Sequence, residues 1–427
     1  MTPPELRSYQ ARACGEALSL LVEPEASICL VAPTGAGKTV MGSRLVALAL
    51  DHGLSCAWVP HRAELADQAR QALEREGVAA RVPILTVQAL ASSLRSGEPL
   101  PHADLVVFDE AHHLGGADWG RVAAAYDHVR MIGLTATPER DDGGRLPFRS
   151  LVIAASTSEL LAAGAIVGCD VLGPAKRQTG KLAADPAEAY VKHAAGRPAI
   201  VFCANVDHAR EVAEAISSAG SPAACIDGDL DDAERARRIA AYRAGDLDVL
   251  TGCQILTEGF DAPRTAVVVL ARTCGSMSLY LQCVGRAMRP FPGKLRGLVL
   301  DLVGACHEHG LPDEDRRFSL TGSAIELVEG LPALAQCRTC GACFRSGPRV
   351  CPGCGARMPP PKKPKLSPEE LRAIHATEPL EVKAAYWEHL RAQAQANGYR
   401  IGWAVARFTG RYGHGPDFRR LRQQEVA

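Results

Sequence analysis

The chain has 427 residues, 47% hydrophobic and 22% charged, and its 48 Lys/Arg balance 48 Asp/Glu. Single cores seldom grow past about 250–300 residues, so two or more domains are expected. The composition excludes a disordered or fibrous chain, and no apolar run approaches the roughly 18 residues a membrane span needs. The charge is unevenly spread: from Cys337 onward 16 Lys/Arg stand against 7 Asp/Glu, a basic end on an acidic body that suits a polyanionic partner. Most of the 15 cysteines are scattered singly in apolar runs such as Val201-Phe202-Cys203, and Met1–Arg7 lacks a signal peptide's apolar core. Reduced core thiols and a cytoplasmic location are the expectation.

In chain order, the apolar run Ile28–Val31 leads into Ala32-Pro33-Thr34-Gly35-Ala36-Gly37-Lys38-Thr39 and then a helix-like pattern. Small residues let successive N–H groups turn toward one anion at a helix N-terminus, so Gly35, Ala36 and Gly37 read as a phosphate cradle. Lys38 then reaches the β- and γ-phosphates, and the Thr39 hydroxyl ligates Mg²⁺. The first position is Ala32 where the stricter pattern has glycine. Strands follow at 55–59, 84–87, 105–108 and 131–135. The third ends in Asp109-Glu110-Ala111-His112, with Asp109 placed to hold Mg²⁺ and Glu110 to deprotonate an attacking water.

A second alternating series has strands at 199–202, 223–226, 249–251, 266–270 and 298–300, and implies a second parallel sheet. The loop Leu256–Pro263 carries Gly259 for close backbone approach. Gln282, Arg286 and Arg289 share one face of a helix at i, i+4 and i+7, which suits a phosphate gaining dispersed charge. Cys337-x₂-Cys340-Gly341 and Cys351-Pro352-Gly353-Cys354-Gly355 form two knuckles whose four thiolates read as a structural Zn²⁺ site. Cys343 partly mimics an iron–sulfur spacing, but the long gap before Cys351 and the intact second knuckle favour zinc. A stiff Pro/Lys linker follows at 359–366. Ser367-Pro368-Glu369-Glu370 then starts a helical tail in which Trp387 and Trp403 read as a small core, with Arg407, Arg411, Arg419 and Arg420 as outward contacts.

In combination and order, these segments resemble the superfamily 2 helicases and translocases, from Leu6 to about Gly310. Leu6–Gln10 looks like the adenine-reading segment, with Gln10 facing the base. Ala32–Thr39 matches motif I, Pro60–Leu65 motif Ia, Thr86–Gln88 motif Ic, Asp109–His112 a DEAH box and Thr135–Thr137 motif III. Val201–Cys203 resembles motif IV, Thr257–Asp261 motif V and Gln282–Arg289 motif VI. The details are most similar to the branch of restriction-enzyme motor subunits and excision-repair helicases.

The resemblance implies an α/β fold of two tandem RecA-like parallel-sheet domains, followed by a small zinc ribbon and a helical tail. Motor domain 1 is expected over 1–145, a connection over 146–196, motor domain 2 over 197–330, the ribbon over 334–358 and the basic tail over 367–427. It also implies ATP with Mg²⁺ in the cleft, Gly259 and Asp261 at the nucleotide, and Arg62, Thr86, Gln88 and Thr257 on a nucleic-acid strand. DNA is favoured over RNA, and a partner nuclease or a repair or replication protein is compatible. An RNA remodeller, and a motor that translocates without unwinding, remain open alternatives.

Overall fold

The computed structural model describes residues 4–140, 146–178, 180–253, 256, 262–320, 325–327, 331–358, 380–396 and 399–412. The strands are β1 (Ser27–Val31), β2 (Cys56–Val59), β3 (Leu105–Asp109), β4 (Arg130–Thr135), β5 (Ser150–Ile153), β6 (Cys169–Leu172), β7 (Ala199–Cys203) and β8 (Ala223–Ile226). They continue with β9 (Val249–Gly252), β10 (Val267–Ala271), β11 (Gly297–Asp301), β12 (Arg316–Phe318), β13 (Ile325–Leu327), β14 (Leu334–Gln336) and β15 (Ala342–Arg345). The helices are α1 (Ser8–Leu20), α2 (Lys38–Asp51), α3 (Ala63–Arg75), α4 (Val87–Ser96), α5 (Ala117–Ala125), α6 (Thr157–Ala162) and α7 (Pro186–Ala194). After these come α8 (Val206–Ser218), α9 (Asp232–Ala244), α10 (Met277–Val284), α11 (Cys306–His309), α12 (Leu380–Ala396) and α13 (Ile401–Tyr412).

The first sheet runs β2-β3-β4-β1-β5, and every pairing in it is parallel. Its strands are near-continuous apolar runs because helices cover both faces, and β1, β2 and β3 are buried at every position. The second sheet runs β14-β15-β6-β11-β10-β7-β9-β8. Its β6-to-β8 portion is parallel, while β15 joins β6 antiparallel through Ala342↔Leu172 and Cys343↔Val171. The stretch 146–196, expected as a connection, gives β5 to the first sheet and β6 to the second. The first hairpin of the ribbon is likewise an extension of the second sheet.

One expected strand is absent. At 84–87 the chain makes a single bridge, with Leu85 N donating to Trp58 O at 3.1 Å, and then turns into α4. The Thr86 hydroxyl accepts Ala89 N–H at 3.3 Å, so the residue read as strand is a helix cap. The linker 359–366 and the helix start at Ser367 lie outside the described residues. Taken by itself, the C-terminal unit pairs α12 with α13 around Trp387, Leu390, Ala394, Ala404 and Phe408. Trp387 meets Phe408 edge-on at 5.7 Å, and Trp403 lies partly buried against the cluster, consistent with the small-core reading of both tryptophans.

Gly133 in β4 is packed with no room for a side chain. A β-carbon there would lie 2.2 Å from Phe148 Cζ and 2.9 Å from Ala111 Cβ. Gly133→Ala is expected to cost about 1–3 kcal/mol, read as a lower urea midpoint, with Phe148→Leu recovering much of the loss.

Candidate nucleotide cleft and metal centre

The loop after β1 curls back on itself, with Ala36 N donating to Pro33 O at 3.0 Å. Gly35 and Gly37 adopt φ values of 93° and 84°, a left-handed region open to glycine at little cost. Their missing β-carbons matter as well. One at Gly35 would meet Ile166 Cγ2 at 3.0 Å, and one at Gly37 would meet Gln10 Nε2 at 2.5 Å. Tyr9 Oη and Gln10 Nε2 donate to Ala36 O at 3.1 and 2.9 Å, while Gln10 Oε1 accepts Arg7 N–H at 3.0 Å. Both ends of the Gln10 amide thus hold the loop and the start of α1 together. α2 begins at Lys38, so Lys38 and Thr39 stand in its first turn.

Asp109 closes β3 and is buried; burial first, then the Glu110 charge, push its carboxyl up to about 7, with Lys38 opposing. Glu110 is the one non-glycine with positive φ among the described residues, at 54°. Holding such a residue in that well costs roughly 1–2 kcal/mol, and it turns the carboxylate toward Lys38 Nζ at 3.6 Å and His112 Nδ1 at 3.4 Å. His112 continues the chain of polar contacts, with Nδ1 3.3 Å from Thr135 Oγ1 and Nε2 3.1 Å from Gln282 Nε2. Thr135 Oγ1 donates to Thr137 O at 2.6 Å, which leaves its oxygen to accept from His112 Nδ1–H. With Nε2 accepting a Gln282 amide N–H, Nδ1–H is the ring donor that Thr135 Oγ1 accepts.

Gln282 belongs to the second lobe, so this chain crosses the cleft. A parallel link joins Thr137 Oγ1 to Ser278 Oγ at 2.7 Å, with both residues buried. Gly285 packs so closely on the phosphate loop that a β-carbon would lie 2.9 Å from Thr34 Cβ. The arginines do not ride on a continuing helix: α10 ends at Val284. Arg286 N donates to Cys283 O and Met288 N to Gly285 O, an i→i−3 pattern of about three residues per turn. Arg286 stands in this turn and Arg289 follows directly after it. Arg286 is buried, and the Glu110 charge opposes the downward pull of burial on Arg289. Val167 N–H donates to Met288 O at 2.8 Å, tying the crossover segment to the same turn.

Thr257, Gly259 and Asp261 lie outside the described residues. Just past them, Lys294 Nζ donates to Pro263 O and Thr265 O at 2.8 and 2.7 Å, and burial draws this ammonium down to about 8. Arg62 is the half-buried N-terminal residue before α3, and Thr86 is partly buried where it caps α4. Both flank the end of β2, where Val87 N donates to Pro60 O at 3.4 Å, while Gln88 is exposed. Motif spacing did not single out Ser278, Ile166 or Lys294. An isolated serine, isoleucine or lysine has no periodic signal, and their partners are over a hundred residues away or in an irregular loop.

The four knuckle thiols converge: the Sγ atoms of Cys337, Cys340, Cys351 and Cys354 all lie within 4.8 Å of one another. Cys337–Cys354 and Cys340–Cys351 are each 3.7 Å apart. A tetrahedron with metal–sulfur bonds of about 2.3 Å has edges of about 3.8 Å, so the thiols fit zinc. The knuckles repeat one geometry: Gly341 N–H donates to Cys337 O at 2.9 Å and Gly355 N–H to Cys351 O at 3.0 Å, with φ values of 77° and 73°. N–H groups of Cys340 and Thr339 pull the Cys337 thiol down to about 6, which favours the thiolate a metal binds. Cys343 is turned away, toward Gly173 O at 3.9 Å and the buried thiol of Cys306. Its place on β15 against β6 takes it out of the metal cluster.

A phosphate loop and an acidic strand end on one sheet, joined across a closed cleft to an arginine turn on a second, define a two-lobed nucleotide-driven motor. The chain belongs to the superfamily 2 helicases and translocases and is an ATP-hydrolysing enzyme of that class. Residues 3–81 and 74–140 match the family model for the type III restriction enzyme res subunit, and 183–290 match the helicase conserved C-terminal domain. It is 27% identical to a 51.5 kDa protein of Lactococcus phage isolate 7-9, over 91% of this chain and 90% of that one. It is 28% identical to irc3 of Schizosaccharomyces pombe, named as a candidate mitochondrial ATP-dependent helicase, over 75% of this chain and 61% of that one. The fold is similar to a type ISP restriction-modification enzyme, LlaBIII, bound to DNA (TM-score 0.54, 16% identity, 71% of this chain and 28% of that one).

Because the closed cleft leaves no space for a side chain at Gly285, Gly285→Val is expected to hold the lobes apart. Small-angle scattering should then give a larger radius of gyration than for the unsubstituted chain, and proteases should cut the crossover near 166 faster.

Proposed function

We propose that this chain is an ATP-driven DNA translocase or helicase, with hydrolysis at the cleft between the two lobes. The observation that carries the reading is the polar chain Glu110–His112–Gln282, together with Gly285 against Thr34. These contacts join the strand end that carries Glu110 to the turn that carries Arg286 and Arg289, which supports a site shared by the two lobes. Gln10, already bound to the phosphate loop, is suited to sense a base stacked beside α1. Lys38 faces the β- and γ-phosphates, and Glu110 takes a proton from the attacking water. Arg286 and Arg289 disperse charge on the transferring group. Thr39 and Asp109 would hold Mg²⁺, whose charge offsets that of the triphosphate; Asp109, raised by burial and then by its neighbour Glu110, is a carboxyl group suited to such a counter-charge.

Closure is favoured by ATP because both walls contact it, and release of products lets the lobes part. The Thr135–Thr137–Ser278 links connect that motion to the loop after β4. Segments at Arg62, Thr86, Gln88 and Thr257 would grip a strand on alternate lobes. DNA is favoured by the match to a restriction-enzyme family and by the likeness to a restriction-modification enzyme bound to DNA. The knuckle cysteines would hold one structural Zn²⁺.

Lys38→Ala and Glu110→Gln should each lower strand-stimulated ATP turnover at least 10²-fold. Arg286→Ala should lower kcat by roughly 10³ while KM for ATP moves only a few-fold. Near-normal turnover in the first pair would refute the motor assignment. Rates measured with single-stranded, duplex and forked DNA and with RNA should be highest with DNA; a clear excess with RNA would turn the reading to an RNA remodeller. Metal analysis should give one zinc per chain, falling by more than half in Cys351→Ser, and iron with labile sulfide would overturn the zinc assignment.

A further inference from the structure

From Gly330 to Pro368 the chain carries seven Lys/Arg and no Asp or Glu, although the whole protein is neutral. Four of the seven are in the ribbon. Arg345 is committed, donating to both Glu314 oxygens at 2.6 and 2.7 Å. Arg338, Arg349 and Arg357 are exposed. Four thiolates around a divalent zinc carry a net charge of −2, so the three free guanidinium groups outweigh the metal centre and the ribbon surface stays cationic.

The ribbon is also rigidly placed. β15 is paired to β6, Gln336 Nε2 donates to Gly173 O, and Gly173 N–H donates to Gly341 O at 3.4 Å. The last bond sets the first knuckle at the carboxyl end of β6. Because β6, β11, β10, β7 and β9 are parallel neighbours, the loops after β7 and β9 leave from this same rim. At about 4.8 Å per strand, those loops begin roughly 14 and 19 Å from the knuckle. Val201–Cys203, which resemble motif IV, close β7, and the chain after β9 leads in sequence to Thr257–Asp261, which resemble motif V.

We propose that Arg338, Arg349 and Arg357 form a nucleic-acid backbone grip that extends the strand path of the second lobe onto the ribbon. The inference rests on the motor reading for its partner. A phosphate backbone fits better than a base-reading contact, because the ribbon's aromatic, Phe344, is buried and offers no stacking platform. It fits better than an acidic protein because the guanidinium forks match phosphate geometry and the motor reading expects a strand contact at Thr257, in the segment that follows β9. A grip fixed to the second sheet moves with that lobe, so it would hold the strand while the first lobe resets.

The experiment uses the full chain with R338Q/R349Q/R357Q and measures binding to labelled single-stranded DNA and RNA of equal length across salt. Three lost phosphate contacts should flatten the log–log slope by about 2, at about 0.7 per contact on a single strand. The strand concentration for half-maximal ATPase stimulation should rise at least tenfold while the plateau rate is retained. An R338K/R349K/R357K chain should keep the original slope. The larger original slope identifies which of the two polymers the grip serves. An unchanged slope in the glutamine variant with zinc still bound would overturn the proposal, as would a loss seen only in the plateau rate. If the triple variant loses zinc, the single R349Q chain serves, with an expected change of about 0.7 and overturn by none. Failure of the motor reading looks different: the unsubstituted chain would then show no ATPase stimulation by any strand.

Discussion

The absence of one β-carbon, at Gly285, lets the two lobes meet. Thr34 at the crown of the phosphate loop occupies the space that any side chain there would need. The helix α10 ends one residue earlier, and its continuation tightens into a three-residue turn. Arg286 and Arg289 leave from this turn and its end, and the segment after α6 braces it through Val167 N–H and Met288 O.

Polar contacts then make closure specific. Glu110 sits in a left-handed conformation because its neighbours over-determine it: Asp109 is held in β3, and Lys38 and His112 face its carboxylate. His112 passes that arrangement to Gln282 on the other lobe and to Thr135 on its own. The imidazole is buried, so each ring nitrogen must be satisfied, and both are satisfied together only when the lobes are closed. The ribbon serves the second sheet in a different way. β15 covers the open edge of β6, and the knuckles pack beside it around a small cluster of Cys337, Phe344 and Cys351. At the opposite edge, β8 is guarded by side chains: Ser217 bonds both polar groups of Ala223, and Arg238 donates to Cys225 O.

Much of this was legible from the residues. Apolar runs of four to six residues marked the buried parallel strands because such strands are covered on both faces and need no alternation. The phosphate loop and the acidic strand end were visible because their chemistry is local and ordered in sequence. The knuckles were equally plain, since zinc ligands come in short pairs. The reading failed where local pattern and long-range partners disagreed. Ile84–Val87 has the composition of a strand, yet the Thr86 hydroxyl caps a helix there. The arginine turn has helical spacing, yet the tight fit of Gly285 to Thr34 accompanies an end to the helix. Cys343 sits in the spacing of a ligand, yet its strand position against Val171 points the thiol at Cys306 and Gly173.

The amino acids by themselves determined that there would be two parallel sheets, a glycine-rich loop between strand and helix, an acid at a strand end and a four-thiol knuckle pair. Each of these follows from groups within a few residues of one another. Only the tertiary structure decided that 146–196 is shared between the sheets, that the ribbon is an edge of the second sheet, and that His112 and Ser278 bridge the lobes. Those outcomes depend on which surfaces fill each other's space and which buried donors find acceptors, and those pairings join residues 100 or more positions apart.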